Sequence, residues 1–427
     1  MDIGTALQRM NSPVLMTGES HLGLVAKVQD EQRKQARDRS SKGRPSLPSK
    51  TLTPADGLSS GSATVRPIDA LLRLSLVTAL TVADDVYALY KHWGWLRYLG
   101  AFDHLSHPRR LTLDRQALEH VHANQRRVLS EDLGIGFGVL LAEKWCRASG
   151  ALDPIRTTDI DKVLRNSRQF PGLTPNQNST RQPDYLMQFA SASDPSAIES
   201  RLLETKGTAN ASNAISQLAY ASTQIASLLL DGSPIQGVAI STISTVRGVK
   251  YLAIDPPEKS DPWIPEDEQV EKAKRNAPRF DESEGILRAD KNELLASATV
   301  TANATLADFA GLDEVATKWL PDDRILRTRR PRQIRSRSLR GSDYVGSEFS
   351  IAAPGIGGRL TVFQGVTLEV EEALQTGDDT RVRGAQDSFL RRNRPTIENA
   401  DVNGEMSQQE TTAISGEGAI LHIELDD

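Results

Sequence analysis

Hydrophobic and polar positions change their spacing along the chain, and the first clearly patterned stretch has the spacing of helices. Apolar residues recur at helical spacing over residues 67–100, and residues 113–129 predict a further helix with a polar face. Ser130 is a candidate N-cap, because Glu131 and Asp132 follow it where acidic side chains suit the helix dipole. The sequence beyond them, LGIGFGVLLAEKW, is apolar nearly all round, which predicts a buried helix.

Three glycines lie in that buried helix: Gly134, Gly136 and Gly138. Their G-x-G-x-G spacing and the lack of a preceding strand do not match a phosphate-binding glycine loop. A glycine lets a neighbouring element approach the helix backbone closely. We therefore expect close packing against this helix at its glycines.

After residue 180 the spacing becomes that of strands. The predicted elements are a strand, a second strand, a helix and two further strands, at 183–190, 200–208, 211–230, 235–245 and 248–257. The first two strands can pair across a turn-rich link, and Asp231-Gly232 ends the helix. Together with the buried helix, these elements predict one α/β unit over residues 131–256.

The regions on both sides of this unit differ from it in composition. Residues 1–65 mix charged residues, Ser, Gly and Pro with few large apolar residues, which predicts disorder because such a segment cannot offset its ordering entropy. Residues 66–130 are predicted to be helical. Residues 257–345 read as a charged linker with one helix and an arginine-rich run, and residues 346–427 as a C-terminal region with β-strands. Those strands are predicted at 348–352, 359–374 and 419–425, with a polar insertion at 375–415.

The composition indicates the class of protein but does not indicate what the protein binds. The chain has 427 residues, of which 38% are hydrophobic and 25% charged, values typical of a soluble globular protein with room for a large core. The net charge of -5 neither indicates nor excludes a nucleic-acid partner. Local charge has to be examined instead.

Cysteine usage and hydropathy bear on the compartment. The single cysteine, Cys146, excludes an intrachain disulfide and a multi-cysteine zinc site, and its apolar surroundings predict a buried, inert thiol. The first residues do not have the pattern of a secretory signal. The longest uncharged apolar run, residues 133–142, is half the length that a membrane span needs. We expect a cytoplasmic protein that does not enter a membrane.

Candidate chemistry lies in the second predicted strand. Side chains two apart in a strand share a face, so Glu204 and Lys206 point the same way. If the preceding strand pairs with this one, Asp184 lies on the same face, and two carboxylates and one ammonium converge at a sheet edge beside the next helix. A hard divalent cation such as Mg²⁺ would relieve the repulsion between the carboxylates. A lysine beside it can orient a water or stabilise charge on a phosphate, which are the needs of phosphodiester hydrolysis.

These residues resemble a known family. Pro183-Asp184, followed by Glu204-Thr205-Lys206 in this order of helices and strands, is similar to the PD-(D/E)xK nuclease superfamily, which has the restriction-endonuclease-like fold. The resemblance covers residues 131–256. It implies that Asp184 and Glu204 ligate Mg²⁺ or Mn²⁺, that Lys206 acts on the attacking water, and that the substrate is a nucleic acid, with DNA as the expected one.

The resemblance also suggests supporting residues. The first helix of this fold often contributes an acidic residue, and Glu131 is preferred to Glu143, which lies next to Lys144 where the apolar run ends. Gln217 and Tyr220 are similar to a Gln and a Tyr that some relatives carry on the helix after the E-x-K strand, although their spacing is one residue shorter here. Nuclease architecture with additional arms would suit restriction or phage defence.

Other interpretations stay open. Glu204 and Lys206 could form an ordinary surface pair, with Asp184 a turn residue. The chain could be a catalytically inactive nuclease-fold protein that binds nucleic acid or acts as a scaffold, or an assembly protein that engages protein partners through its N-terminal arm or C-terminal region.

A run of eight arginines within residues 324–340 has two interpretations of equal weight. The arginines could neutralise phosphates along a nucleic acid, which would make binding sensitive to salt. Alternatively, the run is a solvated linker that balances the acidic sequence EDEQVE before it.

Overall fold

The computed structural model describes most of the chain in several stretches. The described residues are 2–44, 51–78, 98–106, 109–166, 168–171, 173, 182–255, 287–323, 332–352, 358–399 and 409–426. Most of the predicted linker after residue 255 and residues 324–331 of the arginine-rich run lie outside the described residues, as does part of the helical segment predicted at 67–100.

Helices and strands alternate along the described chain. The helices are α1 (Ile3–Asn11), α2 (Leu22–Ser41), α3 (Pro67–Val77), α4 (Arg115–Glu119), α5 (Ala123–Ala148), α6 (Ile160–Arg165), α7 (Ala211–Ile225), α8 (Lys291–Ala310), α9 (Asp313–Trp319), α10 (Leu368–Thr376) and α11 (Asp379–Asn399). The strands are β1 (Val14–Glu19), β2 (Thr53–Pro54), β3 (Ser62–Val65), β4 (Phe102–Ser106), β5 (Arg109–Leu113), β6 (Ala151–Asp159), β7 (Tyr185–Ser191), β8 (Ile198–Thr208), β9 (Leu228–Leu230), β10 (Ser233–Pro234), β11 (Gly237–Thr245), β12 (Gly248–Asp255), β13 (Leu287–Ala289), β14 (Ile334–Leu339), β15 (Ser342–Ala352), β16 (Arg359–Thr367), β17 (Glu410–Ile414) and β18 (Ala419–Asp426). None of the helices in the described stretches is long and apolar enough to cross a membrane.

The central sheet is mixed. Its strands lie in the order β4-β5-β1-β12-β11-β8-β7-β6, and β2 and β3 pair with β12 and β1 outside this path. β8 runs parallel to β11 and antiparallel to β7, and β1 runs parallel to both β12 and β5. A separate five-stranded sheet, in the order β14-β15-β16-β18-β17, belongs to the C-terminal region. The predicted α/β class, with helices on a mixed central sheet and strands near the C-terminus, is confirmed.

Residue alternation in the central strands builds a hydrophobic core on each face of the sheet. On β8, Leu203 packs in the core that contains α3 and α5, whereas Leu202 packs in the core that contains α2 and α7. Both leucines are fully buried. Each such side chain contributes about 1.5–3 kcal/mol on burial, so the pattern fixes which way β8 faces.

The C-terminal region packs onto the central unit through a buried arginine. Arg156 on β6 is 1% exposed, and its Nη1 donates to Asp379 Oδ1 at 2.6 Å. Its Nη2 donates to Gln386 Oε1 at 2.7 Å. Both acceptors lie on α11. Because removing either partner would leave a buried charge unpaired, this contact fixes the position of α11 on β6.

The prediction of disorder for residues 1–65 is wrong for the described residues 2–44 and 51–65. They form α1, α2 and three strands, and β1 lies inside the central sheet between β5 and β12. The apolar residues are few, but their spacing places them on the buried sides of these elements, while the charged face of α2 accounts for the polar composition. The buried residues include Leu7, Met10, Val14, Met16, Leu24 and Val28.

The predicted helical segment 66–130 also contains strands. β4 and β5 form an antiparallel pair, and Leu113, where a helix was predicted to begin, is the last residue of β5. Ser130 does not cap a helix: it lies inside α5, and its Oγ donates to the carbonyl oxygen of Arg126 at 2.9 Å. A serine can bond to the carbonyl four residues before it as well as cap a helix, so the residue alone does not mark a boundary.

Later elements follow the predicted pattern with shifted ends. β7, β8, β11 and β12 lie within or close to the predicted ranges, and the one helix predicted within 257–345 is two helices, α8 and α9. The helix predicted to reach residue 230 ends at Ile225, and β9 follows it. The strand predicted at 359–374 ends at Thr367, whose Oγ1 accepts from Val370 N at 3.4 Å and so caps α10. The predicted polar insertion contains α11 and β17.

Cys146 is buried as predicted. Burial raises the pKa of its thiol to about 12, so the thiolate that would act as a nucleophile or metal ligand is disfavoured.

The three glycines of α5 allow close contacts with two elements, β8 and α3, as expected. A Cβ on Gly134 would lie 2.6 Å from Gly207 Cα, and one on Gly138 would lie 2.6 Å from Thr205 Cγ2, so this side of α5 contacts β8. A Cβ on Gly136 would lie 2.4 Å from the carbonyl oxygen of Ala70 on α3. The helix is therefore packed tightly between β8 and α3.

We predict that Gly136→Ala destabilises the protein by about 1–3 kcal/mol, because overpacking forces the backbone of α3 away. Gly384→Ala is the matched control: this glycine also lies in a helix, but a Cβ there would meet no atom within 4 Å. The control should gain up to about 1 kcal/mol from helix propensity. Thermal and urea unfolding measure both changes, and equal stability of the two variants would contradict the packing argument.

Candidate active site

The register of β7 and β8 brings the predicted residues together. Tyr185 pairs with Leu203, so Asp184, immediately before β7, lies beside Glu204. The side chains of Glu204 and Lys206 point to the same face because they are two apart. The Nζ of Lys206 lies 3.9 Å from Asp184 Oδ2 and forms a short ion pair with Glu204 Oε1. The predicted convergence of these three side chains is present, although β8 is an interior strand and not a sheet edge.

Backbone groups hold the two carboxylates in place. Glu204 Oε2 accepts from the backbone N–H of Asp184 at 2.8 Å. Asp184 Oδ2 accepts from the backbone N–H of Thr205 at 3.0 Å and from its hydroxyl at 3.3 Å. The reciprocal bonds link β7 and β8 just where the regular ladder of β7 begins. They fix the carboxyl groups relative to the sheet and not to a mobile loop.

Burial and repulsion set the protonation of this cluster. The side chain of Glu204 is 0% exposed, and burial, together with the charge of Asp184, raises its pKa well above the usual range. Burial also raises the pKa of Asp184, against the opposing charge of Lys206. Burial lowers the pKa of Lys206, but the charges of Glu204 and Asp184 outweigh it, and the net pKa lies above its ordinary value. The single positive charge of Lys206 therefore has to balance two carboxylates, so the cluster favours an additional cation or proton.

The cluster opens into a cleft of about 480 Å³ between α5, α6 and α7. The side chain of Asp184 is 32% exposed and that of Lys206 24%, so both are reachable from solvent. The cleft is lined by Glu131, Ile135, Asp159, Ile160, Asp161, Gln182, Pro183, Asp184, Tyr185, Thr205, Lys206, Gly207, Gln217 and Gln224.

Of the two candidate acidic residues on the first helix, Glu131 lines the cleft. Its side chain is 52% exposed and pairs with Arg127 at 3.3 Å. Glu143 is buried three turns further along α5 and pairs with Arg73 at 2.8 Å and Arg147 at 3.1 Å. Burial raises the pKa of Glu143, but the two arginines outweigh it and hold the pKa below its ordinary value. Glu143 is thus occupied in a structural ion pair.

Gln217 lines the cleft from α7, and its buried Oε1 has no hydrogen-bond partner among the described residues. Tyr220, on the same helix, is partly buried and does not line the cleft as described. Gln217 therefore borders the cleft, whereas Tyr220, which the sequence pattern linked to it, does not.

Sequence reasoning missed Asp159, Asp161 and Gln224. Asp159 ends β6 and caps α6, accepting from Asp161 N at 2.8 Å, and burial raises its pKa. Gln224 is 6% exposed and donates to the carbonyl oxygen of Gln182 at 3.0 Å, two residues before Asp184. Two signals were available: Asp159 is a typical N-cap residue before an apolar turn, and Gln224 lies two helical turns after Gln217 on the same face.

The donor atoms suit a hard divalent cation. Asp184 and Glu204 supply carboxylate oxygens, which Mg²⁺ and Mn²⁺ prefer, and together they exceed the charge of the one lysine. Asp184 Oδ1 has no hydrogen bond to the described residues, whereas both oxygens of Glu204 are engaged. No group of three or more His, Cys, Asp or Glu side chains close enough to hold a metal occurs in the described stretches. Two carboxylates with water ligands would therefore have to hold the ion.

Three described arginines of the 324–340 run are engaged in ion pairs, and the most exposed of them, Arg340, lies 3.6 Å from Glu410. Arg332 contacts Asp308 at 2.8 Å and Asp313 at 2.7 Å. Arg337 on β14 contacts Glu348 at 2.7 Å, and Glu424 at 2.8 Å. These two side chains bind their own chain, so they fit neither a solvated linker nor a free phosphate-binding run.

Comparisons with protein-family models, with curated proteins and with solved structures found no match for this chain. The residues and the geometry of the cleft are therefore what indicates the function.

We predict that Glu204→Gln removes a pH-dependent loss of stability. A carboxyl group whose pKa is raised by folding contributes stability that is fully present below its unfolded pKa, near 4.5, and is lost as the pH rises through its folded pKa. Above pH 4.5 the free energy of unfolding of the wild type should therefore fall relative to the variant, by up to about 1.4 kcal/mol per pH unit.

Urea unfolding across the acid-to-neutral range measures this difference. Glu199→Gln is the matched control, because Glu199 lies on the same strand with its side chain 44% exposed. Parallel pH profiles for the wild type and Glu204→Gln would show that Glu204 is not an uncompensated buried carboxyl.

Proposed function

We propose that this protein is a metal-dependent nuclease that hydrolyses phosphodiester bonds, with DNA as the expected substrate, and that residues 131–256 form a restriction-endonuclease-like core. The single observation that carries the proposal is the meeting of Asp184, Glu204 and Lys206 on adjacent strands at the base of an open cleft. The resemblance of Pro183-Asp184 and Glu204-Thr205-Lys206 to the PD-(D/E)xK pattern supports it. The alternative of an ordinary surface ion pair fits poorly, because Glu204 is fully buried.

Asp184 and Glu204 would hold a divalent cation, Mg²⁺ or Mn²⁺. When bound, such an ion supplies a Lewis acid that lowers the pKa of a bound water and stabilises charge on a phosphate. The role of the two residues is to bind it, with Asp184 offering its more exposed oxygens and Glu204 the buried charge that makes the site attractive to a cation. Their backbone hydrogen bonds keep the carboxyl groups in position.

Lys206 is suited to act on the phosphate or the attacking water. Its raised pKa keeps the ammonium protonated near neutral pH, so it can donate hydrogen bonds to a phosphate oxygen or orient a water molecule. It lies within 4 Å of a carboxylate oxygen of Asp184, at 3.9 Å. A charged donor fixed beside the cation-binding carboxylates stabilises the charge that develops as the phosphodiester is attacked.

Glu131 and Gln217 are proposed as supporting residues. Glu131 lines the cleft, and its half-exposed carboxylate would bind a water molecule there. Gln217 offers a buried carbonyl oxygen with no described partner, which suits a donor on a bound water or on the substrate.

A catalytically inactive protein of the same fold that binds nucleic acid is the second candidate. One observation favours it: both oxygens of Glu204 are already engaged, by Lys206 and by the backbone of Asp184. If these contacts do not open, Glu204 cannot bind a cation and only the binding function remains.

We place the proposed activity in the cytoplasm, because the single buried cysteine needs no oxidising compartment. We propose a role in restriction or phage defence by analogy with the architecture of such nucleases alone.

We predict that Lys206→Ala and Asp184→Asn each lower the rate of Mg²⁺-dependent DNA cleavage by about 10²–10⁴-fold while the proteins stay folded. Both changes remove a group that contacts the reacting phosphate, the water or the cation. Incubation of plasmid and linear DNA with purified protein and Mg²⁺ or Mn²⁺, against an EDTA control, measures the rate.

Lys250→Ala is the matched control, since Lys250 is an exposed lysine on β12, elsewhere on the same sheet. It should cleave like the wild type. Full cleavage by both site variants would refute the assignment, and a mobility shift without cleavage by the wild type would favour the second candidate.

A further inference from the structure

A second cleft adjoins the candidate active site. It has a volume of about 550 Å³ and lies between the start of α5 and the start of α7. Glu131, Gly207 and Gln217 line both clefts, so the two form one groove. The other residues of the second cleft are Glu119, Val121, His122, Ala123, Arg126, Arg127, Ser130, Thr208, Ala209, Asn210 and Asn213.

Bare backbone separates the two clefts. A Cβ on Gly207 would lie 1.8 Å from the carbonyl oxygen of Ser130 and 2.9 Å from Glu131 Cα. The backbones of β8 and α5 are therefore in direct contact at Gly207, and α5 fills the space where a side chain at residue 207 would lie. The two clefts are continuous through the residues that line both of them, Glu131, Gly207 and Gln217.

The balance of charge differs between the clefts. The first has the carboxylates of Glu131, Asp159, Asp161 and Asp184 against the single cation of Lys206. The second has the two cations Arg126 and Arg127 against Glu119 and the shared Glu131, together with amide donors on Asn210 and Asn213. A polyanion is repelled by the first cleft unless a cation is bound, whereas the second offers guanidinium groups directly.

The two arginines are placed differently. Arg126 Nε donates to the carbonyl oxygen of Val121 at 2.7 Å, which anchors the side chain while its Nη groups have no hydrogen bond to the described residues. Arg127 is 79% exposed and pairs with Glu131 at 3.3 Å, across the boundary between the clefts. A phosphate in the second cleft can bind Arg126 at once and compete with Glu131 for Arg127.

From these observations we propose that the second cleft binds the sugar–phosphate backbone of a polynucleotide next to the phosphodiester held over Asp184 and Lys206. This proposal rests on the proposed function and names residues that orient its substrate. Arg126 and Arg127 bind a neighbouring phosphate, and Asn213 borders the same path. Arg is suited to this role because its planar fork can bind two phosphate oxygens. The contact is independent of base sequence, since it involves only the backbone.

The test measures binding without cleavage, in EDTA, by the fluorescence anisotropy of labelled DNA duplexes and single strands over a range of salt concentrations. Arg126→Gln/Arg127→Gln should raise the Kd roughly tenfold at low salt and lower the slope of log K against log salt by about 1 for each arginine. Arg126→Gln alone should show about half of this loss of slope. This variant keeps Arg127, so the ion pair between Arg127 and Glu131 stays in place.

Arg109→Gln/Arg110→Gln is the matched control, because this exposed pair lies on β5, away from both clefts. Its Kd and salt slope should equal those of the wild type. Asn213→Arg changes charge in the opposite direction at an exposed position in the second cleft, and should lower the Kd several-fold. Circular dichroism and the melting temperature check that each variant is folded.

The outcomes separate this inference from the proposed nuclease. If the wild type cleaves DNA in Mg²⁺ and the double arginine variant binds DNA with unchanged Kd and salt slope and also cleaves it, the proposed binding role of the second cleft is overturned and the nuclease proposal stands. If the wild type does not cleave but its binding depends on these arginines, the binding site is supported and the nuclease fails. If the wild type binds no DNA at low salt in EDTA, the second cleft is overturned, and if it also fails to cleave DNA in Mg²⁺, the nuclease is overturned as well.

Discussion

One lysine shared by two carboxyl groups is the interaction on which the candidate site depends. The antiparallel register of β7 and β8 places Asp184 beside Glu204, and the alternation of β8 brings Lys206 to the same face. A slip of one residue in β8 would turn Glu204 toward the core under α5 and Leu203 toward the cleft side, so the hydrophobic pattern of the strand also fixes the chemistry. The charges of this cluster do not cancel, because the one ammonium group of Lys206 lies beside two carboxyl groups, those of Asp184 and the fully buried Glu204.

The fold around this cluster limits how its charges can be relieved by movement. α5 cannot withdraw from β8 without losing its close contacts at Gly134 and Gly138, and on its other side it contacts α3. The far wall of the cleft is held as well, since Arg156 ties β6 to α11 three residues before Asp159. Interiors packed this tightly transmit strain and do not deform freely. A cation or a proton is therefore a more accessible way to balance the cluster than rearrangement of the sheet.

Local patterns in the sequence predicted the parts of the fold that depend on neighbours in the chain. The convergence of Asp184 and Lys206 followed from strand alternation and a short link, and the glycines of α5 indicated a close approach. By contrast, β1 was missed because its position between β5 and β12 depends on strands that are distant in the sequence. The few buried residues of α2 were missed because the charged face of this helix dominates its composition. Asp159 was missed for the same reason as β1: its cap on α6 is a local feature, but its position in the cleft is set by the pairing of β6 with β7.

The burial of Glu204 separates a functional interpretation from a purely structural one. A buried ion pair is a poor source of stability, because the cost of removing both charges from water offsets their attraction, and apolar residues of similar size often stabilise a protein more. Its neighbours Leu202 and Leu203 are fully buried apolar residues, so this strand accommodates such side chains. Stability alone does not account for a glutamate with a strongly raised pKa at the base of an open cleft. Such pKa shifts cluster at sites that bind ions or perform chemistry, and Arg126 and Arg127 in the adjoining cleft carry the charge that the proposed polyanionic substrate would require.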